Sequence, residues 1–377
     1  MINLENTLLD RQPALRDKLW AKYMFKVLKK LIREDEINYF IKTHQHLRGF
    51  AFLDKVLDYF NFSYQVSDKS LNNIPAEGRL IIIANHPIGS LDGLALLKLV
   101  HSVRPDSRIV ANELLTLLEP LESLFLPVEV LSGKASYRSQ FQAMLDALDN
   151  EQALIIFPAG EVSRINATGI RDGVWKTGFV KLAKKTQTPI LPIFINAKNS
   201  TLFYSLSTLY KPLGTLLLVH EMFNKENQQL TFHVGKAIPA REVEQSDLSP
   251  KQLANRFKKH LYRLAKKHPK HPKRHKKINQ DTQTPKWKKS KQALFNTVET
   301  VAHPARRQFL KRELYAAQLL GETDDGKKIF LYDYRADSAV MHEIGRLREL
   351  TFRTVEEGTG AALDIDRYDV YYRHLVL

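Results

Sequence analysis

The sequence predicts an α/β protein with a mostly parallel sheet flanked by helices, preceded by N-terminal helices and followed by a partial α+β unit. The main observation is that apolar runs of strand length alternate with helical patterns between about residues 75 and 240. A second is that the first run, Leu80–Ala84, leads directly into polar residues, as a buried parallel strand does where it meets a loop. The predicted strands are Leu80–Ala84, Arg108–Ala111, Ala153–Phe157, Ile190–Ile195, Thr215–His220 and Leu230–Val234. Helical patterns between them include Tyr137–Leu148 and Gly178–Lys185.

The N-terminal region, residues 1–70, is predicted to be helical. Apolar residues recur at helical spacing within residues 14–60, and lysines lie among them. They include Leu15, Leu19, Met24, Val27, Leu28 and Leu31. Two interpretations stay open: a helix that packs on the rest of the protein, or a basic amphipathic helix on an anionic membrane, to which Trp20 and Phe25 would contribute.

The chain has 377 residues and a net charge of +16, and the excess charge is local. Residues 251–291 contain 16 Lys or Arg and one acidic residue, Asp281, so this segment alone contributes +15. It begins within a predicted basic helix over 249–267 and continues as a linker over 268–291. We interpret it as a solvated linker or a membrane-surface segment, with nucleic-acid binding as the alternative.

Composition excludes several classes of protein. There is no cysteine, hence no disulfide framework and no Cys-ligated metal. The N terminus is polar and of mixed charge, unlike a secretory signal, and no apolar run approaches the ~20 residues that span a bilayer. The expected location is therefore cytoplasmic, peripheral on the inner face of the cell membrane. The sequence gives no indication of oligomeric state.

A histidine and an aspartate follow the first predicted strand. His86 lies just beyond it, and Asp92 lies six residues later, where an apolar helix pattern begins. Because residues six apart do not share a helix face, we expect Pro87 and Gly89 to form a loop with Asp92 in the first helical turn. Such a pair suits a general base with an orienting carboxylate; the alternative is a polar turn with a structural histidine.

A second motif follows the strand Ala153–Phe157. Gly160 permits a tight turn, and Arg164 and Arg171 offer guanidinium groups for phosphate or carboxylate. Lys176 near a helix start suits an anion at a helix N-terminus. An oxyanion hole is expected either around Gly89–Ser90 or in the Gly160 turn.

The order of these motifs resembles the PlsC-like lysophospholipid acyltransferases. The matching pieces are Asn85-His86…Asp92, Phe157-Pro158-x-Gly160-x-x-Ser163-Arg164, Lys176-x-Gly178 and Pro189-Ile-Leu-Pro192, over a predicted domain of residues 71–267. The His-to-Asp gap is one residue longer than the family's usual one, and Ala159 takes the place of the loop's usual Glu, with Glu161 two places later. Both departures are similar to the branch labelled putative haemolysin.

The resemblance implies an O-acyltransferase, similar to 1-acylglycerol-3-phosphate acyltransferases, that acts on a lysophospholipid or a lyso-ornithine-type lipid. His86 would be the general base and Asp92 its orienting group. The implied substrate-binding residues are Asn85, Gly89, Ser90, Phe157, Pro158, Gly160, Glu161, Ser163, Arg164 and Lys176. The expected partners are a lysolipid, acyl-CoA or acyl carrier protein as the thioester donor, and a membrane surface, with no cofactor, no metal and no nucleic acid.

Residues 292–377 form the predicted C-terminal unit, with a helix over Ala339–Phe352 and a strand over Val370–Leu377. The run from Glu343 to Arg353, with the later Gly358-Thr-Gly and Asp364-x-Asp366-x-x-Asp369, is similar to the opening of GNAT-type N-acyltransferases. Together the two resemblances match the order found in bifunctional ornithine-lipid synthases. We expect this unit to be partial, or completed by a segment not present, and the chain alone not to perform N-acylation.

Two further functions stay open at this point. One is a non-catalytic membrane- or nucleic-acid-binding protein that acts through residues 251–291. The other is a degenerate acyltransferase domain that serves as a scaffold for the C-terminal unit.

Overall fold

A computed structural model describes most of the chain. The described residues are 3, 5–6, 9, 13–16, 18–112, 118–128, 134–166, 169–201, 203–205, 218, 220–267 and 293–377.

Among the described residues, twelve strands form three sheets. The strands are β1 Ser63–Gln65, β2 Leu80–Ala84, β3 Arg108–Asn112, β4 Phe125–Val128, β5 Ala153–Ile156, β6 Arg164–Asn166, β7 Gly169–Arg171, β8 Ile190–Asn196, β9 Gln229–Val234, β10 Gln318–Glu322, β11 Lys328–Asp333 and β12 Arg373–Val376. The main sheet has seven strands in the order β1-β9-β8-β2-β5-β3-β4. Its described pairs are parallel except for β8 with β9, which are antiparallel. The predicted mostly parallel α/β sheet is confirmed.

Eleven α-helices accompany these strands in the described part of the chain. They are α1 Leu19–Leu31, α2 Glu34–Thr43, α3 Gly49–Tyr59, α4 Asp68–Leu71, α5 Ser90–His101, α6 Lys134–Asp149, α7 Gly178–Thr186, α8 Arg241–Glu244, α9 Pro250–Lys267, α10 Arg307–Tyr315 and α11 Ala339–Thr354.

The central strand β2 divides the core into two layers, and all five of its residues are buried. Successive side chains of a strand point to opposite faces. Leu80, Ile82 and Ala84 accordingly share a cluster with α3 and α5, whereas Ile81 and Ile83 share one with α6, α7 and α9. The end of β2 is therefore set in a core that is packed from both sides.

The predicted N-terminal helices are confirmed as α1 to α3. In α1, Ala21 and Phe25 are buried, which accounts for the packing interpretation of this helix. The same helix leaves Trp20, Tyr23 and Val27 exposed by 55%, 76% and 66% of their surface. One stripe of α1 thus packs inward while a second apolar stripe faces solvent.

The predicted closing helix is α9, and it belongs to the core. Leu253, Phe257 and Leu261 are buried within the second cluster. The linker predicted over residues 268–291 lies outside the described residues.

The C-terminal unit is an antiparallel sheet, β10-β11-β12, with α10 and α11. It packs against residues 73–77: the Thr300 hydroxyl donates to the Asn73 carbonyl (2.9 Å), and Arg346 pairs with Glu77. The predicted helix corresponds to α11. The predicted strand Val370–Leu377 is too long, because the carbonyl of Tyr368 accepts from the next turn and delays the strand until Arg373.

Another strand prediction was wrong where it can be checked. Of Thr215–His220, residues 218 and 220 are helical, and the other four lie outside the described residues. No helix in the described part of the chain is both long and apolar enough to cross a bilayer.

Candidate active site

The candidate site begins where β2 ends. Asn85, the first residue after the strand, bridges to β8: its Nδ2 donates to the Ile195 carbonyl (2.9 Å), and its Oδ1 accepts from the Ile195 amide (2.8 Å). Both ends of this predicted substrate-binding side chain are therefore engaged by the neighbouring strand. The bridge holds the next residue, His86, at the carboxyl edge of the sheet, where parallel α/β folds place their chemistry.

His86 and Asp92 meet as the sequence predicted. The distance from His86 Nδ1 to Asp92 Oδ1 is 2.8 Å, and the aspartate side chain is fully buried. Its other oxygen accepts from the backbone N–H of Ile88 (2.9 Å), which orients the carboxylate toward the ring. This close approach is not an aligned hydrogen bond in the structure. Catalytic hydrogen bonds often become aligned only when substrate binds.

The loop between these residues depends on a glycine. Gly89 has φ +107°, a conformation that L side chains rarely adopt, and it immediately precedes α5. It reverses the chain so that Asp92, in the first turn of the helix, faces back toward His86. Ser90 is the first residue of that helix, whose leading N–H groups have no intrahelical acceptor.

Two opposing effects act on the protonation of His86. Burial lowers its pKa, but the Asp92 carboxylate and, more weakly, Asp172 raise it, so the net pKa lies above the usual 6.5. These carboxylates stabilise the imidazolium, which is the form that a general base reaches when it accepts a proton.

Phe157 follows β5 and stacks on the His86 ring with centroids 4.1 Å apart. The next residues form a tight turn, because the Gly160 N–H donates to the Phe157 carbonyl (3.0 Å) and Gly160 has φ +66°. The Lys176 side chain crosses Gly160 so closely that a Cβ there would lie 2.8 Å from its Nζ. The carbonyl of Pro158 accepts from the Lys176 backbone N–H (2.8 Å).

The loop beyond this turn contacts His86 through its backbone. The Ser163 N–H donates to the His86 carbonyl (2.7 Å), and Ser163 is buried. Arg164 starts β6, and its Nε lies 3.6 Å from a Glu161 carboxylate oxygen. Arg164 also pairs in register with Arg171 of β7, so the two arginines occupy directly opposed backbone positions on one hairpin.

The structure thus places every predicted site residue along one continuous region. The sequence predicted no role for Asp172. Asp172 is buried and accepts from the His86 backbone N–H (3.2 Å), so it contacts the predicted base directly. In the sequence, an aspartate that will be buried after a β-hairpin has no characteristic spacing that distinguishes it from an aspartate in a solvated turn. Among the described residues, no group of three or more His, Cys, Asp or Glu is arranged to hold a metal ion.

A model of a known family, described as "Acyltransferase", matches residues 6–267. The chain belongs to this acyltransferase family. The match spans the N-terminal helices, the seven-stranded sheet and α9, and therefore the whole of the candidate site.

Curated relatives agree with the family. The chain is 30% identical over 273 residues to a lyso-glycine lipid O-acyltransferase of Bacteroides thetaiotaomicron, covering 70% of this chain and 97% of the relative. It is 29% identical over 271 residues to the protein of that name in Phocaeicola vulgatus, covering 68% and 95%.

A separate similarity covers 21% of this chain. It is 40% identical over 84 residues to a glycine N(alpha)-acyltransferase of P. vulgatus, and it spans 26% of that relative. The chain therefore corresponds to about a quarter of the N-acyltransferase.

Proposed function

We propose that this acyltransferase moves a fatty acyl group from a thioester donor to the hydroxyl of a lysolipid whose headgroup is an acylated amino acid of the glycine type. The observation that carries the proposal is the 2.8 Å approach of His86 Nδ1 to the buried Asp92. The names of the two relatives that match most of this chain support the acceptor class.

In the proposed reaction, Asp92 keeps the Nδ1 proton of His86 in place, so that Nε2 is free to accept. Nε2 takes the proton of the lysolipid hydroxyl as the oxygen attacks the thioester carbonyl. The C–O bond forms, the C–S bond breaks, and the thiolate of acyl-CoA or acyl carrier protein leaves. The imidazolium returns its proton to the thiolate, which releases a thiol and restores the neutral base.

The developing oxyanion requires backbone donors. The Gly160 N–H is already bonded to the Phe157 carbonyl, which favours the alternative at Gly89–Ser90, where the first N–H groups of α5 point out of the helix. We assign the acceptor's carboxylate to Arg164 and Arg171, two arginines at opposed backbone positions of one hairpin. A guanidinium group can hold a carboxylate through two parallel hydrogen bonds, which suits the acid group of the acceptor.

The test is acyl transfer from acyl-CoA to lyso-glycine lipid, followed by mass spectrometry of the diacylated product. His86→Ala should abolish product formation, because it removes the proposed base. His46→Ala, which removes an exposed histidine of the N-terminal region, is the matched control and should retain normal turnover. Normal turnover by His86→Ala would reject the assignment.

The substrate is a lipid, and we propose that α1 brings the enzyme to the membrane surface. Its exposed stripe of Trp20, Tyr23 and Val27 lies among lysines, as in helices that bind anionic bilayers. Trp20→Glu should reduce sedimentation with anionic phosphatidylglycerol vesicles. Leu319→Glu, at a residue of the C-terminal sheet that is 54% exposed, should not. Equal binding of both variants would remove α1 from this role.

The non-catalytic alternative is not favoured. The structure describes the basic segment only as far as α9. The apolar residues of this helix lie in the core, so the helix contributes to the fold itself. Binding of nucleic acid without thioester consumption would restore that alternative.

A further inference from the structure

Asp172 and Ser163 together hold the backbone N–H and the carbonyl of His86. The Asp172 Oδ1 accepts from the His86 backbone N–H (3.2 Å) and from the Ser163 hydroxyl. The Ser163 N–H in turn donates to the His86 carbonyl (2.7 Å). These contacts close a ring through His86, Asp172 and Ser163, which fixes the peptide groups on both sides of the His86 Cα.

All described side-chain contacts of Asp172 are with donors. Besides His86 and Ser163, the indole N–H of Trp175 donates to Oδ2 (2.9 Å). An ionised carboxylate accepts hydrogen bonds only, whereas a protonated one needs an acceptor for its own hydrogen. The arrangement therefore suits a charged Asp172, although the net pKa of its carboxyl is raised, because burial raises it by more than the hydrogen bonds from Ser163 and Trp175 lower it.

The main chain of Asp172 is held by α9. Its N–H donates to the Tyr262 hydroxyl (2.8 Å), and its carbonyl accepts from the Lys258 ammonium (2.6 Å). The carboxylate is thus anchored to the core by one helix and presents its oxygens to the loop after β2. In the described part of the chain, two carboxylates act on the pKa of His86 through their charge: Asp92 on α5 and Asp172 after β7.

We propose that Asp172 is a positioning residue for acyl transfer, which holds the main chain of His86 in the orientation that brings its ring to Asp92. This inference rests on the proposed role of His86 as the base. Asp172 touches no reacting atom: it acts through the His86 backbone and through its charge. A lost anchor at this point moves the base relative to the hydroxyl, and displacements of ~1 Å cost about 10²-fold in rate.

The test compares three variants of the full chain. Asp172→Ala removes the acceptor that His86 and Ser163 share. Tyr332→Phe is the structural control, because it removes a buried hydroxyl of the C-terminal unit that contacts Ser338 (2.8 Å) and plays no part in the candidate site. Asp172→Asn keeps one oxygen for His86 and Ser163 but brings an amide nitrogen against the Trp175 N–H, so it is studied together with Trp175→Phe, which removes that conflict.

Asp172→Ala should lower kcat by about 10²-fold, with little change in the lysolipid KM. Tyr332→Phe should lower Tm and leave kcat close to wild type. Asp172→Asn in the Trp175→Phe background should shift the acidic limb of the rate profile, and the His86 imidazole ¹⁵N titration, to lower pH. A purely structural role would lower the folded fraction without moving either titration. If Asp172→Ala fails to fold, the test is made with Asp172→Asn in the Trp175→Phe background, through the rate profile and the His86 titration.

The two levels of the proposal fail differently. The positioning role is overturned if both Asp172 variants keep the wild-type kcat and the wild-type acidic limb of the rate profile while His86→Ala is inactive. The reaction then stands as proposed. Turnover by His86→Ala overturns the reaction, and with it the basis of the Asp172 role.

Discussion

The substitution Asp92→Asn tests the His86–Asp92 pair most directly, because the structure dictates how the amide would sit. The Oδ2 position accepts from the Ile88 N–H (2.9 Å), so the oxygen of an asparagine belongs there. Its NH₂ group must then occupy the Oδ1 position, 2.8 Å from His86 Nδ1. An NH₂ group donates to Nδ1, which forces the ring proton onto Nε2 and leaves no lone pair for the substrate hydroxyl.

We therefore expect a loss in kcat of about 10³–10⁴-fold, as is typical when an orienting aspartate becomes asparagine and selects the wrong tautomer. This corresponds to ~4–5.5 kcal/mol of transition-state stabilisation. The shape and the Ile88 hydrogen bond are preserved, so the thermal midpoint should change little. The assay is thiol release from acyl-CoA in the presence of lyso-glycine lipid, with ¹⁵N chemical shifts reporting the His86 tautomer.

Asp54→Asn is the matched control, because Asp54 pairs with Lys98 of the same helix α5 (2.8 Å) but is half exposed and lies away from His86. It should retain full activity. A rate for Asp92→Asn within tenfold of wild type, or an unchanged tautomer, would refute the reasoning.

Three other outcomes are expected. The rate should rise with pH through a midpoint above 6.5, since the pKa of His86 is raised and only its neutral form accepts a proton; a midpoint below 6.5 in kcat/KM measurements would contradict this. Arg164→Ala and Arg171→Ala should each raise the KM for lyso-glycine lipid more than that for acyl-CoA in initial-rate assays. The reverse order would assign these two arginines to the acyl donor instead of the acceptor. Arg104→Ala should destabilise the fold by about 3 kcal/mol in urea unfolding, because Arg104 is 1% exposed and pairs with Asp106; a change below ~1 kcal/mol would show that water replaces these contacts.

The parallel sheet could be predicted because its strands are buried. Leu80–Ala84 is a continuous apolar run, and β2 begins and ends at the same two residues. By contrast β4, Phe125–Val128, contains Pro127 and follows a ³₁₀ segment, so no helix or strand period marks it. The short hairpin of β6 and β7 alternates polar and apolar residues over only three positions in each strand.

The site divides along the same line. His86 and Asp92 could be predicted because their chemistry is carried by residue type and by spacing along the chain. Asp172 could not, because its role depends on contacts between segments 86 residues apart. Lys258 and Tyr262 of α9 reach it from a further part of the chain. The burial of Asp172 is a property of the folded state, so its contacts with the His86 backbone could not be predicted from the residues around it in sequence.

The burial of β2 on both faces also governs how long the enzyme keeps its working geometry. Amides in such a strand exchange with deuterium through global opening, whereas a surface helix such as α1 opens on its own at lower cost. The loop that bears His86 begins directly at the end of this buried strand. Inactivation by heat should therefore coincide with melting of the main sheet, even when the N-terminal helices have already frayed.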